Sequence, residues 1–195
     1  GVGGGGDGRS DLVESLGMVE AGCVINAAGL YADEVAALAG NASWKIYPVR
    51  GEYCEVRGRQ AALINNLVYP LPHADGLSLG MHFTKTIWGT LLIGPTARYV
   101  AEKDDYERDR LTAEDFVAGA RKLFPEIGLG DLQVAYSGLR PKLVPPEDHG
   151  IADFVIERDA SVPRMIQLVG IESPGLTAAA SIAREVGGMV GEILE

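Results

Sequence analysis

The sequence predicts a mixed fold of helices and strands (α/β, α+β mixed), in which an antiparallel sheet lies between two segments of α/β character. Three patterns predict this fold: a strand–turn–helix unit near the start, a series of short strands in the middle, and a long helix at the end. Apolar runs between turn residues indicate strands, whereas apolar residues three or four positions apart indicate helices. The order of these patterns predicts two interleaved domains that share one chain.

The first ten residues are rich in glycine, and Gly1, Gly3 and Gly6 have the spacing GxGxxG of a dinucleotide-binding motif. That motif requires a strand before it and a helix that opens at its third glycine. No strand pattern precedes these glycines. We therefore predict a tail or loop here rather than a nucleotide-binding motif.

The strand–turn–helix unit follows at residues 22–40. Cys23–Ile25 predicts a short buried strand, which ends at Asn26 and the small residues 27–29. Leu30–Leu38 has helical spacing, and Gly40 ends the helix. Small residues between a strand and a helix let the backbone approach a ligand closely.

The middle of the chain predicts an antiparallel sheet. Its strands are Val49–Val56, Leu67–Leu71, Leu77–Thr84 and Thr90–Ile93. A helix is predicted next, with Thr112 as its N-cap and Pro125 as its end. The remaining predicted elements are three strands and the last helix, at Leu132–Arg140, Phe154–Glu157, Met165–Val169 and Pro174–Leu194.

Composition excludes some classes of function. The formal net charge of −10 argues against binding to nucleic acid, which needs clustered Lys and Arg. An anionic small molecule is compatible with it, because a single Arg binds a carboxylate within an acidic protein. Cys23 and Cys54 are too few for a disulfide scaffold, and no Cys or His spacing indicates a metal site. We predict reduced thiols and a cytoplasmic location, with peripheral association with a membrane as the alternative.

The predicted strand Leu77–Thr84 has one apolar and one polar face, and His82 and Thr84 lie on the polar face. A ligand could lie against this face, although a half-exposed strand facing water explains the pattern equally. Tyr136 and Arg140 similarly share a face of Leu132–Arg140, and we expect Pro141 to end the pairing there. An Arg in this position suits a carboxylate clamp, with a surface salt bridge as the alternative.

The segment that opens the last helix is rich in small residues. Ser173 suits the N-cap and Pro174 the first helical turn. A helix N-terminus favours an anion, because its first N–H groups lack partners within the helix. The alternative is a structural helix that packs tightly on a sheet.

Seven motifs occur together and in order: NAAGLYAD (26–33), PVRGEY (48–53), VYPLP (68–72), GMHFT (80–84), GP (94–95), SGLRPK (137–142) and GIESPGLT (170–177). Together they resemble the C-terminal portion of the D-amino-acid-oxidase-like FAD oxidoreductases. Within that superfamily, the HFT and IESPGLT segments most resemble the L-2-hydroxyglutarate dehydrogenases or oxidases and related glycerol-3-phosphate dehydrogenase-like proteins.

The resemblance implies two domains. One is a partial Rossmann-like FAD-binding domain formed by residues 1–45 and 141–195, and the other is an antiparallel substrate-binding domain formed by residues 46–140. Enzymes of this kind have the nucleotide fingerprint near the N-terminus, and this sequence has none. The resemblance therefore implies that an N-terminal half or a second chain completes the FAD domain, and that the isolated chain is inactive.

The resemblance also implies the residues of the site. Those at the cofactor are Asn26, Ala27, Ala28 and Gly29 on the nucleotide side of FAD, Arg50, Gly51 and Glu52 near the flavin ring, and the helix-opening residues Glu172, Ser173, Pro174, Gly175, Leu176 and Thr177. Those at the substrate are Arg140 as the carboxylate clamp, Tyr53, Thr84 and Lys142 as polar neighbours, and His82 as the catalytic base.

The implied reaction is oxidation of a small 2-hydroxy acid such as L-2-hydroxyglutarate, by hydride transfer to flavin N5. The electron acceptor that follows would be a quinone or dioxygen. A His with a pKa near neutral suits removal of the hydroxyl proton. Two alternatives remain, an amino-acid or glycine oxidase activity and a non-catalytic fragment that acts as a binding module.

Overall fold

A computed structural model of the protein describes residues 17–71, 80–148 and 150–195. The predictions for the glycine-rich start, for Pro72 and for Leu77–Leu79 lie outside these residues. Within them, the chain forms a three-stranded sheet (sheet A), a five-stranded sheet (sheet B) and three α-helices, which confirms the mixed fold. Among the same residues, no helix combines the length and apolar character needed to cross a bilayer.

The elements follow one another in nearly the predicted order. The strands are β1 (Val24–Asn26), β2 (Tyr47–Val56), β3 (His82–Lys85), β4 (Leu91–Gly94), β5 (Arg98–Tyr99), β6 (Leu132–Lys142), β7 (Val155–Arg158) and β8 (Met165–Val169). The α-helices are α1 (Ala32–Leu38), α2 (Ala113–Leu123) and α3 (Gly175–Leu194). A 3₁₀ turn, Gly29–Tyr31, precedes α1.

Sheet A joins the two ends of the described chain. Its order is β1–β8–β7, where β1 runs parallel to β8 with Asn26 opposite Gln167, and β7 runs antiparallel to β8. Val186 and Ile193 of α3 pack against Ile166 of β8. Because β1 and β8 are parallel, the turn after β1 and the turn after β8 lie at the same edge of the sheet.

Sheet B is antiparallel, with the order β3–β4–β2–β5 and with β6 also paired to β2. One face of this sheet holds the main core, where Cys54, Phe83 and Ile93 pack with Phe116 of α2. Side chains alternate between the two faces of a strand. Tyr53 and His82, which neighbour Cys54 and Phe83, therefore lie on the opposite face, which we call the open face.

Helix α2 begins as the sequence predicts. The carboxylate of Asp115 accepts hydrogen bonds from the backbone N–H and the hydroxyl of Thr112, at 2.7 and 3.0 Å. Helix α3 differs from the prediction, because Pro174 occupies the N-cap position with non-helical dihedral angles and Ser173 lies outside the helix. A proline at the N-cap offers no side-chain acceptor, and α3 therefore has no side-chain cap.

Three strand predictions are wrong. The strand at Cys23–Ile25 was predicted to be buried, but Val24 and Ile25 of β1 are half exposed. Leu67–Leu71 forms no strand, and only Val68 pairs, in a single bridge with Phe83. Pro141 does not end the pairing of β6, which continues to Lys142. Pro141 lies directly opposite Pro48, and neither proline has an N–H group. The two prolines are compatible with the ladder because alternate pairs of an antiparallel ladder exchange no hydrogen bonds.

Candidate functional site

A β-bulge brings two tyrosines together on the open face of sheet B. The register between β2 and β6 shifts after Glu52, so that Tyr53 lies opposite two residues of β6, one of them Tyr136. A bulge changes the direction of nearby side chains. The rings of Tyr53 and Tyr136 stack with their centroids 4.9 Å apart. Burial raises the pKa of Tyr53, so its hydroxyl stays protonated and can donate a hydrogen bond.

His82 lies on the same face, at the start of β3, with Thr84 two residues further along the strand. Its ring stacks on Tyr69 with centroids 4.1 Å apart, and its Nδ1 lies 2.9 Å from the carbonyl oxygen of Gly80. Burial lowers the pKa of His82 below its ordinary 6.5, the hydrogen bond to Gly80 raises it, and the charge of Arg140 lowers it again. The net lowering leaves the imidazole neutral at pH 7, which is the state a general base requires.

Arg140 and Lys142 share one face of β6 and one carboxylate partner. Nη1 of Arg140 lies 3.3 Å from Oε2 of Glu172, and Nζ of Lys142 lies 2.8 Å from Oε1 of the same residue. The Arg140 side chain remains 30% exposed. One carboxylate between two cations leaves a local excess of positive charge, which favours an anionic ligand.

An open depression of about 480 Å³ lies at the N-terminal end of α3 and is lined by residues 171–177. Leu176 in its wall is 93% exposed, and Ser173 and Pro174 are also exposed. Gly175 is required for packing, because a Cβ atom there would lie 2.5 Å from Cγ2 of Ile171. The predicted cofactor residues of this segment thus form one surface, in which the Glu172 side chain binds Arg140 and Lys142.

The turn after β1 presents its alanines, while Asn26 is buried. Nδ2 of Asn26 donates to the carbonyl of Ala32 and to Oε1 of Gln167, both at 2.7 Å, and its Oδ1 accepts from the Ala28 N–H at 3.2 Å. Asn26 is only 2% exposed, so its side chain shapes the turn. Ala27 and Ala28 are exposed, and Gly29 has a φ of +59°, which favours glycine.

A buried polar network, which the sequence analysis missed, continues from this turn. Nε2 of Gln167 donates to Oδ2 of Asp159 at 2.7 Å, and Nδ2 of Asn41 donates to the same oxygen at 2.9 Å. Asp159 is 2% exposed and Gln167 is fully buried. The network fixes the Asn26 amide, and through it the turn that follows β1.

We expect Asp159→Asn to lower the free energy of unfolding at neutral pH and to weaken its pH dependence. Burial raises the pKa of Asp159, but hydrogen bonds from Asn41, Gln167 and the backbone lower it to a net value below its ordinary 3.8. A carboxylate whose pKa is lower in the folded protein than in the unfolded protein stabilises the fold at pH values above the unfolded-state pKa. This stabilisation is lost as the pH falls through the folded-state pKa.

Urea unfolding at neutral pH and at about pH 3 measures this effect. The difference in the free energy of unfolding between wild type and Asp159→Asn should be clear at neutral pH and should become smaller in acid. An equal difference at both pH values would contradict the assignment.

A second buried cluster lies on the other face of β2. Glu52 binds Nε of Arg50 at 3.1 Å, Nε of Arg110 at 3.3 Å and the Leu111 N–H at 2.9 Å. Nη1 of Arg50 binds Asp105 at 2.9 Å. Arg50 and Glu52 are fully buried. This cluster fastens the segment 96–111 to sheet B.

The approach of Arg50 and Glu52 to a flavin stays a prediction, although their side chains do not reach the open face. Strand alternation points both side chains away from the open face, and their surface is already occupied by the ion cluster. Gly51 lies between them on the open face, where a Cβ atom would lie 3.0 Å from Cβ of Pro95. Its contact with a cofactor stays a prediction.

The structure thus brings the predicted substrate residues together. Tyr53, His82, Thr84 and Arg140 lie on the open face of sheet B, with Lys142 beside them. Two further residues, Tyr136 and Tyr69, stack on members of this group and were not predicted as site residues. Tyr136 was noted only for sharing a strand face with Arg140, and that alternation could have identified it. Nothing in the sequence near Tyr69 indicates its partner, because the single bridge to β3 depends on a distant segment.

The chain is similar to known proteins over most of its length. The profile of the DAO family, described as FAD dependent oxidoreductase, matches residues 3–189. This chain belongs to that family. The mitochondrial L-2-hydroxyglutarate dehydrogenase of Arabidopsis thaliana is 35% identical over 178 residues, which cover 84% of this chain and 36% of that protein.

Two further relatives agree with this assignment. The glycerol 3-phosphate dehydrogenase of Caloramator mitchellensis is 31% identical over 160 residues, which cover 82% of this chain and 32% of that protein. The structure of L-α-glycerophosphate oxidase from Mycoplasma pneumoniae with FAD bound superposes with a TM-score of 0.72 at 27% identity. That match covers 87% of this chain and 42% of the oxidase. The chain spans less than half the length of each of these relatives.

Proposed function

We propose that this chain is the C-terminal part of an FAD-dependent enzyme that oxidises a small 2-hydroxy acid of the 2-hydroxyglutarate type. The observation that supports it most is the group of a neutral imidazole, a guanidinium, an ammonium and phenols around the open face of sheet B. Such a set can accept a hydroxyl proton and bind a carboxylate. The L-2-hydroxyglutarate dehydrogenases among the relatives support the same substrate class.

The residues at the edge of sheet A fit FAD. The turn of residues 26–29 follows β1 and the depression of residues 171–177 follows β8, and ligands of α/β sheets bind at the carboxyl ends of parallel strands. Ala27 and Ala28 offer small exposed side chains, and the end of α3 offers N–H groups to an anionic group. We assign sheet A and α3 to the FAD-binding domain, and sheet B and α2 to the substrate domain.

The residues of this chain have separable tasks in the proposed reaction. His82 accepts the hydroxyl proton of the substrate at its Nε2 atom. Arg140 binds the carboxylate next to the reacting carbon, and Tyr53 donates a hydrogen bond from its protonated phenol. Bound FAD supplies the acceptor for the hydride, and a quinone or dioxygen is the proposed final electron acceptor.

The proposal also requires a partner segment on sheet A. β1 is an edge strand in the described chain, and its Val24 and Ile25 are 50% and 46% exposed. Leu176 on α3 is exposed as well. Large apolar residues exposed on an edge strand and at a helix end are candidates for cover by another segment in the assembled protein. We propose that an N-terminal half, in the same polypeptide or in a second chain, covers them and supplies the nucleotide fingerprint.

The substrate class is tested by steady-state kinetics on the enzyme assembled with such a half. The proposal expects the highest kcat/KM with a 2-hydroxy dicarboxylate. Glycerol 3-phosphate and glycine are the comparison substrates, because the first is also an anionic alcohol and the second represents the amine-oxidising alternative. A preference for either would contradict the proposed substrate.

We expect Arg140→Lys to lower kcat/KM for the 2-hydroxy acid by about 30-fold or more, which corresponds to the lower end of the roughly 2–5 kcal/mol that a lost charged contact costs in a partly desolvated site. Lys carries the same charge but cannot form the two parallel hydrogen bonds of the guanidinium fork. The change should appear mainly in KM if the clamp holds the ground and transition states equally.

The matched control is Arg158→Lys. Arg158 also pairs with a glutamate, Glu192 of α3, at 3.4 Å, but the two side chains are 43% and 70% exposed. This variant should keep the wild-type kcat/KM. Normal kinetics in Arg140→Lys, or loss of FAD with retained substrate affinity, would show that Arg140 has a structural role instead.

A further inference from the structure

The position of Tyr69 is set by the backbone. Val68 and Phe83 exchange both of their backbone hydrogen bonds, with Phe83 N–H donating to Val68 at 2.9 Å and Val68 N–H donating to Phe83 at 3.0 Å. In an antiparallel pair the flanking residues lie opposite each other. Tyr69 therefore lies opposite His82, and the two rings are nearly parallel, at 20°.

The other constraint on the imidazole is its hydrogen bond. A carbonyl oxygen only accepts, so Nδ1 of His82 must donate to Gly80 across the 2.9 Å contact. A neutral imidazole has one N–H group, and Nε2 is then the atom with the lone pair. The hydrogen bond selects the tautomer, but by itself it leaves the ring able to rotate away.

We infer that Tyr69 is a positioning residue, which holds the ring of His82 flat against the tyrosine ring. In this position Nδ1 of His82 keeps its hydrogen bond to the Gly80 carbonyl, and Nε2 stays the proton acceptor. The inference rests on the proposed function, because it gives His82 the role of base. It goes beyond that role in naming the residue that keeps the Nε2 atom of His82 available as the acceptor.

Two groups on neighbouring strands act on this pair. Within the described residues, the cation that influences the pKa of His82 is Arg140, on β6. The phenol of Tyr53, on β2, lies close enough to Tyr69 and Arg140 for both to influence its pKa. These groups stay unchanged in a variant of Tyr69, so a change in His82 can be ascribed to the lost stack.

The test is nitrogen-15 NMR of the histidine side chains in the full chain, with His82 assigned by comparison with His82→Phe. Wild type should show the Nδ1-protonated tautomer and a pKa below the ordinary value. Tyr69→Phe keeps the stacked ring and should give the same result. Tyr69→Leu should give mixed tautomers and a pKa raised by roughly 0.5 or more, because the ring loses its cover.

Tyr31→Leu is the matched control, because Tyr31 is 44% exposed and Tyr69 is 47% exposed. It should leave the His82 signals unchanged. Unchanged His82 tautomer and pKa in a folded Tyr69→Leu protein would overturn the inference, and so would an equal change in Tyr31→Leu.

The assembled enzyme provides a second readout. Tyr69→Leu should lower kcat by about 10-fold or more with little change in KM, while Tyr69→Phe stays near wild type. Equal losses in both variants would contradict a role through the stack. If His82→Phe keeps full activity, the proposed role of His82 as the base fails, whereas the NMR result on the tautomer is unaffected.

Discussion

Replacement of Glu52 by alanine is expected to lower the free energy of unfolding by about 3–5 kcal/mol, the usual cost of removing one partner of a buried ion pair. Glu52 is fully buried and lies against the guanidinium groups of Arg50, Arg98 and Arg110. Its removal leaves their positive charges without their shared carboxylate. Because a domain is stable by only about 5–15 kcal/mol, this change removes a large part of the margin.

Urea denaturation followed by circular dichroism measures the loss, and Glu55→Ala is its control. Glu55 lies on the same strand, but its side chain is 36% exposed and its pair with Arg57 spans 3.7 Å. Exposed pairs of this kind contribute about 0–1 kcal/mol. Similar effects of the two substitutions would show that the buried cluster does not stabilise the fold.

Replacement of His82 by phenylalanine is expected to lower kcat in the assembled enzyme by about 100-fold or more, the usual contribution of a general base. Phenylalanine preserves an aromatic ring for the stack on Tyr69 but has no lone pair. The expected pH dependence follows from the lowered pKa of His82, since the wild-type rate should fall as acid protonates the base. In the variant, the rate should no longer decrease as the pH is lowered below about 6.5.

The variant should also bind FAD with the wild-type stoichiometry, because the cofactor residues are assigned to the edge of sheet A. Thr84→Val provides a comparison from the same strand face, and a much smaller loss of kcat is expected because its hydroxyl takes no proton. A fully active His82→Phe enzyme would exclude His82 as the base.

The sequence patterns that proved reliable are those decided by local chemistry. Alternation along β3 predicts that Phe83 enters the core and that His82 lies on the other face, and the structure confirms both. The N-cap of α2 is equally local, since Thr112 and Asp115 are three residues apart. The family motifs also predicted the correct fold, because they occur together and in order.

The features that sequence patterns could not predict depend on distant partners. Glu52 was expected near a cofactor, and its burial depends on a segment more than forty residues away that folds back over β2. Pro141 was expected to end a strand, and only the position of Pro48 in the neighbouring strand explains why it does not. Tyr69 is part of the site only because Val68 pairs with Phe83.

The most direct test of the central claim is anaerobic absorbance spectroscopy of this chain co-expressed with the N-terminal half of a relative. We expect a yellow complex with stoichiometric FAD that is bleached by L-2-hydroxyglutarate or a similar 2-hydroxy acid. The chain purified alone should carry little or no flavin. A complex that binds FAD but is reduced by no 2-hydroxy acid would contradict the proposed reaction, and stoichiometric FAD on the isolated chain would contradict the need for a completing half.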